Sequence, residues 1–151
     1  MSKGDEAAQF FTRGYNCAQS TAAAFAKECG VDEAQVLTAM AGFGGGLGGM
    51  RETCGAVNAM AYVAGLIAGE YAPEDVETKT LLYARVQRMV RKFESDYGTL
   101  SCRELLAKAN CVAGSVPSVR TSEYYAQRPC AQLVAAAASI IDVTLLQVHR
   151  T

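Results

Sequence analysis

The sequence has no tryptophan, one histidine and no Cys-x-x-Cys pair among its 151 residues. Without Cys-x-x-Cys, neither a thioredoxin-like motif nor a zinc ribbon is present, and without Cys-x-x-Cys-His there is no support for covalently attached haem c. The one histidine, His149, has no cysteine near it in sequence, so we interpret it as part of a solvated chain end rather than as a ligand. Any cysteine site must therefore be assembled by the fold.

Neither sign of charge dominates the chain. Fourteen Lys and Arg against fifteen Asp and Glu give a formal net charge of −1, which argues against nucleic acid as a partner. No uncharged run reaches the ~20 residues of a membrane span, and we interpret the run over residues 54–69 as a buried helix. Residues 1–6 lack the apolar stretch of a secretory signal, so a cytoplasmic location is expected.

The hydrophobic pattern predicts an all-α fold. Half of the residues are hydrophobic, which suits one domain over residues 1–151. Alanine-rich segments recur at the helical period, and no stretch alternates polar and apolar residues long enough for a strand. We expect a single-domain bundle of about six helices without a sheet. The expected ranges are 5–13, 17–29, 32–40, 54–71, 73–97 and 129–148, with a short helix starting after Ser101 and a turn near 122–125.

A glycine-rich stretch over residues 42–49 separates two of these helices. Gly44, Gly46 and Gly49 match the spacing of a dinucleotide fingerprint. The stretch follows a predicted helix rather than a strand and has no βαβ unit around it, so no nucleotide cofactor is expected. We interpret it as a tight turn that brings the next helix close to its neighbours.

Six cysteines in a reducing compartment favour metal binding or redox chemistry over permanent disulfides. Four of them fall at predicted helix starts, where unpaired N–H groups and the helix dipole favour a thiolate. These four are Cys17, Cys54, Cys102 and Cys130. Cys29 falls at a helix end and Cys111 near an irregular connection, and both are interpreted as inert packing residues.

The long separations between the four cysteines leave their chemistry open. Four sulfurs at converging helix starts could hold an iron–sulfur cluster or a single metal, or could form two dithiol pairs. A zinc or copper binder, and a helical interaction module with cysteines as packing residues, are further alternatives. The small-residue helix faces are compatible with a homodimer but do not require one.

The sequence resembles a family of small redox-active proteins, C_GCAxxG_C_C, through separated blocks that span nearly the whole chain. The glycine-rich loop resembles that of the family, and the signature Cys-Gly-Ala-x-x-Gly corresponds to residues 54–59, except that Ala59 stands where the signature ends in glycine. Since that glycine permits close backbone packing, the contact here is expected to be slightly wider. The other blocks are residues 14–19, 101–106 and 129–130.

This resemblance implies that the four helix-start cysteines are the functional ones. A related module occurs in split-Soret cytochromes, where an iron–sulfur centre accompanies haem. The resemblance therefore favours a cluster held by Cys17, Cys54, Cys102 and Cys130, serving electron transfer or redox sensing with a partner protein that the sequence does not specify. A redox carrier is favoured over an enzyme, and a thiol–disulfide oxidoreductase is the second hypothesis.

Overall fold

A computed structural model describes residues 1–112 and 114–147. The regular secondary structure of these residues is helical, apart from one isolated antiparallel bridge between Thr53 and Ser101. The all-α prediction is therefore confirmed. The α-helices are α1 (Lys3–Thr12), α2 (Cys17–Ala23), α3 (Ala26–Cys29), α4 (Glu33–Met40), α5 (Gly55–Ala68), α6 (Val76–Tyr97), α7 (Cys102–Lys108), α8 (Ser122–Gln127) and α9 (Cys130–Ile141). A 3₁₀ turn, Ala41–Phe43, follows α4, and a π-helical turn, Asp142–Leu146, follows α9.

The expected single helix over 17–29 is divided into α2 and α3. The chain leaves regular α geometry at Phe25, with φ −110° and ψ 5°. The side chain of Phe25 is fully buried, and the carbonyl of Ala24 accepts a hydrogen bond of 2.8 Å from Nζ of Lys3. The break is stable because a tertiary donor satisfies that carbonyl.

Other helix boundaries also differ from the predicted ones. The helix expected to begin at Pro73 begins at Val76, because the carboxylate of Asp75 accepts from the Thr78 N–H at 3.1 Å and forms a better cap. The helix expected to reach residue 71 ends at Ala68, where Gly69 takes a φ of +75°. The last α-helix ends at Ile141, while residues 148 and 149, including His149, lie outside the described residues.

The core is formed mainly by α1, α2, α5 and α9, which pack against one another. Many of the buried residues are alanines, and their small side chains let the helix backbones approach closely. Fully buried alanines occur on each of these helices: Ala7, Ala18, Ala56, Ala59, Ala137 and Ala138. This packing brings the starts of α2, α5 and α9 to one end of the bundle.

No helix in residues 1–112 or 114–147 combines the length and the apolar character needed to cross a membrane. The apolar helix α5 has 14 residues, and α6, with 22 residues, carries many charged side chains. The uncharged run noted in the sequence therefore corresponds to a short helix with one buried face.

Candidate redox site

The four cysteines singled out in the sequence line one cavity of about 520 Å³, which we call the cysteine chamber. Cys17, Cys102 and Cys130 are the first residues of α2, α7 and α9, and Cys54 is the N-cap of α5. The predicted helix-start positions are therefore confirmed. The other two cysteines lie at the end of α3 and in the connection after α7, outside the lining of the chamber.

Cys17 is positioned by a capping box. Asn16 Oδ1 accepts from the Gln19 N–H at 2.9 Å, and Gln19 Oε1 accepts from the Asn16 N–H at 3.1 Å. The same two side chains also donate to carbonyls of Ala41 and Leu37, at 3.0 and 2.9 Å. The cap therefore fixes the start of α2 against the end of α4 and the 3₁₀ turn.

Cys54 and Cys102 are held together through their backbones. The Cys54 N–H donates to the Leu100 carbonyl at 2.8 Å, and the Cys102 N–H donates to the Glu52 carbonyl at 2.6 Å. These bonds flank the isolated bridge and pair the segments that precede α5 and α7. Two cysteines 48 positions apart in sequence thus enter the chamber side by side.

The glycine-rich loop closes one wall of the chamber. Its residues 45–49 all have positive φ values, between +55° and +79°, which glycine adopts readily and leucine, at position 47, does not. A Cβ on Gly46 would lie 2.6 Å from the Cβ of Cys102, and a Cβ on Gly55 would lie 3.0 Å from the Ala18 N. Glycine is required at position 46 because the backbone lies against Cys102, whereas a side chain at position 55 would make a very tight contact.

Cys17 and Cys130 interact directly, and their pKa values move in opposite directions. Hydrogen bonding to Cys130, followed by burial, raises the pKa of the Cys17 thiol well above its usual value. Hydrogen bonding from Cys17 lowers the pKa of Cys130 to about 7 against the opposing effect of burial, and Arg128, Arg120 and Arg51 assist. Cys130 is consequently the thiol that ionises most easily of this pair.

Burial raises the pKa of Cys54 to about 12, although hydrogen bonds from the N–H groups of Ala56 and Val57 act in the opposite direction. The expectation that every helix start lowers the thiol pKa is therefore wrong for Cys54 and Cys17. Desolvation and neighbouring thiols outweigh the helix terminus at both positions. The two N–H donors would nevertheless stabilise a negatively charged sulfur at Cys54.

Among the described residues, three arginines line the chamber, and none of the lining residues is Asp or Glu. Arg51 Nη1 contacts the Cys102 sulfur at 3.6 Å. The Arg120 guanidinium carbon lies 4.4 Å from the centre of the Phe11 ring, and the Arg128 guanidinium carbon lies 4.9 Å from the centre of the Tyr124 ring. Sequence reasoning missed Arg120 and Tyr124.

No group of three or more His, Cys, Asp or Glu side chains in residues 1–112 and 114–147 is arranged to hold a metal ion. A single zinc ion binds its sulfur ligands at about 2.3 Å, so its ligands must nearly touch. No three of the four chamber sulfurs are gathered this tightly. The geometry therefore gives no support to a single-ion site.

The profile of the family described as "Putative redox-active protein (C_GCAxxG_C_C)" matches residues 15–143. The matched range covers most of the chain and includes all four chamber cysteines. No curated protein and no solved structure matches the sequence. The chain belongs to the C_GCAxxG_C_C family of redox-active proteins.

Proposed function

We propose that the protein is an electron-transfer or redox-sensing protein whose cysteine chamber holds an iron–sulfur cluster. Its ligands are Cys17, Cys54, Cys102 and Cys130. One observation carries this proposal: four cysteines from four different helix starts line a single cavity, and no His, Asp or Glu is among the described residues that line it. A donor set made only of thiols is the usual ligand set of such clusters.

The chamber fits a cluster better than it fits one ion. In a four-iron cluster each of the four cysteines binds a different iron atom, so the ligand sulfurs lie farther apart than around a single ion. A cavity of about 520 Å³ that all four cysteines line offers room for such a group. When bound, the cluster supplies one-electron transfer.

The chain's own groups would tune that chemistry. The N–H groups of Ala56 and Val57 bond the Cys54 sulfur, and such donors stabilise the more negative, reduced state. The burial of Cys54 and Cys130 limits the access of water. The glycine-rich loop brings uncharged backbone against the Cβ of Cys102.

A second candidate is thiol–disulfide exchange at Cys17 and Cys130, favoured by the direct interaction of their thiols. The Cys130 thiolate would attack one sulfur of a substrate disulfide, forming a mixed disulfide and releasing the other sulfur as a thiolate. Cys17 would then lose its proton and attack Cys130 Sγ, releasing the second thiolate. The substrate gains two electrons, and an external dithiol reductant would reduce the resulting Cys17–Cys130 disulfide.

Anaerobic purification distinguishes the two candidates. The cluster predicts a coloured protein with stoichiometric iron and acid-labile sulfide, and a visible spectrum that bleaches on reduction with dithionite. Exchange predicts a colourless protein in which peptide mapping finds a Cys17–Cys130 disulfide after mild oxidation. A colourless protein that forms no such disulfide contradicts both candidates.

Serine replacement of each cysteine sharpens this test. If a cluster is bound, Cys17→Ser, Cys54→Ser, Cys102→Ser and Cys130→Ser should each lower iron content at least tenfold, because a multi-ligand site depends on every ligand. Exchange would need only Cys17 and Cys130. Cys29→Ser and Cys111→Ser are the matched controls, since both residues are half-buried thiols outside the chamber, and they should keep full iron content.

A further inference from the structure

Arg51 occupies an unusual position beside the chamber. It is a non-glycine residue with a φ of +60°, a conformation that costs energy and recurs at functional sites. Its backbone is held on both sides: its N–H donates to the Gly45 carbonyl at 3.0 Å, and its carbonyl accepts from the Arg103 N–H at 3.2 Å. The surrounding bonds fix this backbone, and the backbone in turn aims the side chain.

The guanidinium of Arg51 joins two parts of the chamber wall. Nη1 contacts the Cys102 sulfur at 3.6 Å, while Nε and Nη2 both donate to the Gly114 carbonyl, at 3.1 and 3.0 Å. Gly114 begins a segment, residues 114–118, from which Ser115, Pro117 and Ser118 line the chamber. One side chain therefore touches a candidate ligand and ties down the segment beside it.

Among the residues that the structure describes, the positive charge of Arg51 has no carboxylate partner. Within residues 1–112 and 114–147 the ion pairs involve only Lys3 and Lys92 as cations. The other two chamber arginines donate elsewhere: Arg120 to the carbonyls of Phe11 and Tyr15, and Arg128 to the Ser118 hydroxyl. Arg51 is thus the chamber arginine with an N–H on a sulfur.

We propose that Arg51 is a positioning residue with two roles. It raises the reduction potential of the redox group in the chamber through the Cys102 sulfur, and it fastens residues 114–118 over the chamber. This inference rests on the proposed redox function, but it applies whether the redox group is a cluster or a dithiol pair. Reduction adds negative charge to a cluster, and reduction of a Cys17–Cys130 disulfide leaves part of Cys130 as a thiolate, so the nearby Arg51 guanidinium favours the reduced state of either.

The test compares Arg51→Gln and Arg51→Lys with Arg103→Gln. Arg103 is the matched control because it is exposed, follows Cys102 in sequence and donates its Nη2 to the Met50 carbonyl at 3.3 Å rather than to a sulfur. Spectroelectrochemical titration should show Arg51→Gln poised at a lower potential, with at least a tenfold smaller reduced-to-oxidised ratio at the wild-type midpoint. Arg51→Lys should recover most of this change, and Arg103→Gln should stay within about twofold.

A second measurement uses the metal-free, reduced protein and does not require a cluster. The labelling rate of the chamber cysteines is measured with N-ethylmaleimide and with a bulky maleimide carrying a polyethylene glycol chain. The ratio of the two rates reports access rather than thiolate content, since both reagents need the same thiolate. Loss of the two hydrogen bonds from Arg51 to the Gly114 carbonyl should raise the ratio of bulky-reagent to small-reagent labelling several-fold in both Arg51 variants. The ratio should stay unchanged in Arg103→Gln.

The outcomes separate the two levels of the proposal. A protein with neither iron nor a reversible disulfide refutes the proposed function, while the labelling ratio still decides whether Arg51 fastens the segment. A working redox group whose potential is the same in Arg51→Gln and wild type overturns the inference on potential. An unchanged labelling ratio in both Arg51 variants overturns the fastening role.

Discussion

The alanine-packed core and the cysteine chamber are built in different ways. In the core, buried side chains recur at the helical period along α1, α2, α5 and α9, so each helix buries a face that its own sequence defines. In the chamber, the decisive contacts join distant segments, such as Gly46 with Cys102 and Arg51 with Gly114. The core depends on volume, whereas the chamber depends on backbone geometry.

This difference implies that stability and redox chemistry reside largely in separate parts of the molecule. A cavity in the core removes many apolar contacts but leaves the loops that line the chamber in place. A side chain added to the glycine-rich loop displaces a cysteine directly while the helix packing remains. Variants in each region should therefore have different signatures.

The largest loss of stability is expected from Phe93→Ala in α6. Phe93 is fully buried and stacks on Tyr97 with ring centroids 4.9 Å apart. Its truncation should lower the free energy of unfolding by about 3–5 kcal/mol, as measured by urea denaturation. Leu81→Ala on the same helix, at a side chain that is 59% exposed, should change it by less than about 1 kcal/mol. Loss of redox chemistry in a folded Phe93→Ala protein would contradict the separation.

The chamber should respond most strongly to Gly46→Ala. The new methyl group would overlap the Cys102 Cβ and would require alanine at a φ of +67°. We expect a loss of about 2–3 kcal/mol in unfolding free energy from strain and overlap, together with loss of iron binding or of reversible oxidation.

Gly42→Ala is the control for this variant, because a Cβ at position 42 meets no atom within 4 Å. It should keep both stability and redox chemistry. If Gly46→Ala retained full iron content, the loop would not be positioning Cys102, and the contrast between the two regions would be weakened.

The local features were the ones that the sequence predicted well. The four chamber cysteines stand at helix starts, as predicted, and Asn16 and Gln19 form a capping box before the first of them. Such signals depend on residues three or four positions apart, so they can be read from one chain. The all-α class followed from periodicity for the same reason.

The features that sequence reasoning missed depend on distant partners. The break before Phe25 is stabilised by Lys3 from another helix, and the raised pKa of Cys54 comes mainly from burial that no local pattern reports. Arg120 is held at the site by hydrogen bonds to the carbonyls of Phe11 and Tyr15, which are more than 100 positions away in sequence. Pairings of this kind are set by tertiary packing.

The smallest of these effects concerns Lys3, which joins α1 to α3 at the edge of the core. Its Nζ lies 2.8 Å from Glu6 and 2.5 Å from Glu28, with 14% of the side chain exposed. Burial acts to lower the pKa of Lys3, but the hydrogen bonds and charges of Glu28 and Glu6 outweigh it, so the pKa is raised above its usual value. Folding therefore strengthens proton binding at this side chain.

The sign of the pH dependence follows from that shift. A raised pKa in the folded state gives stability that is complete below the unfolded value, about 10.4, and is lost as the pH rises through the folded value. Lys3→Met should lower the free energy of unfolding at pH 7 by about 1 kcal/mol, and the difference from wild type should shrink between about pH 10 and 12. Urea denaturation across this range measures it. Lys92→Met removes an exposed pair with Asp96 at 3.0 Å and should change little at any pH, whereas a Lys3→Met difference that stays constant up to pH 12 would show that Lys3 acts through its packing on Phe25 rather than through its charge.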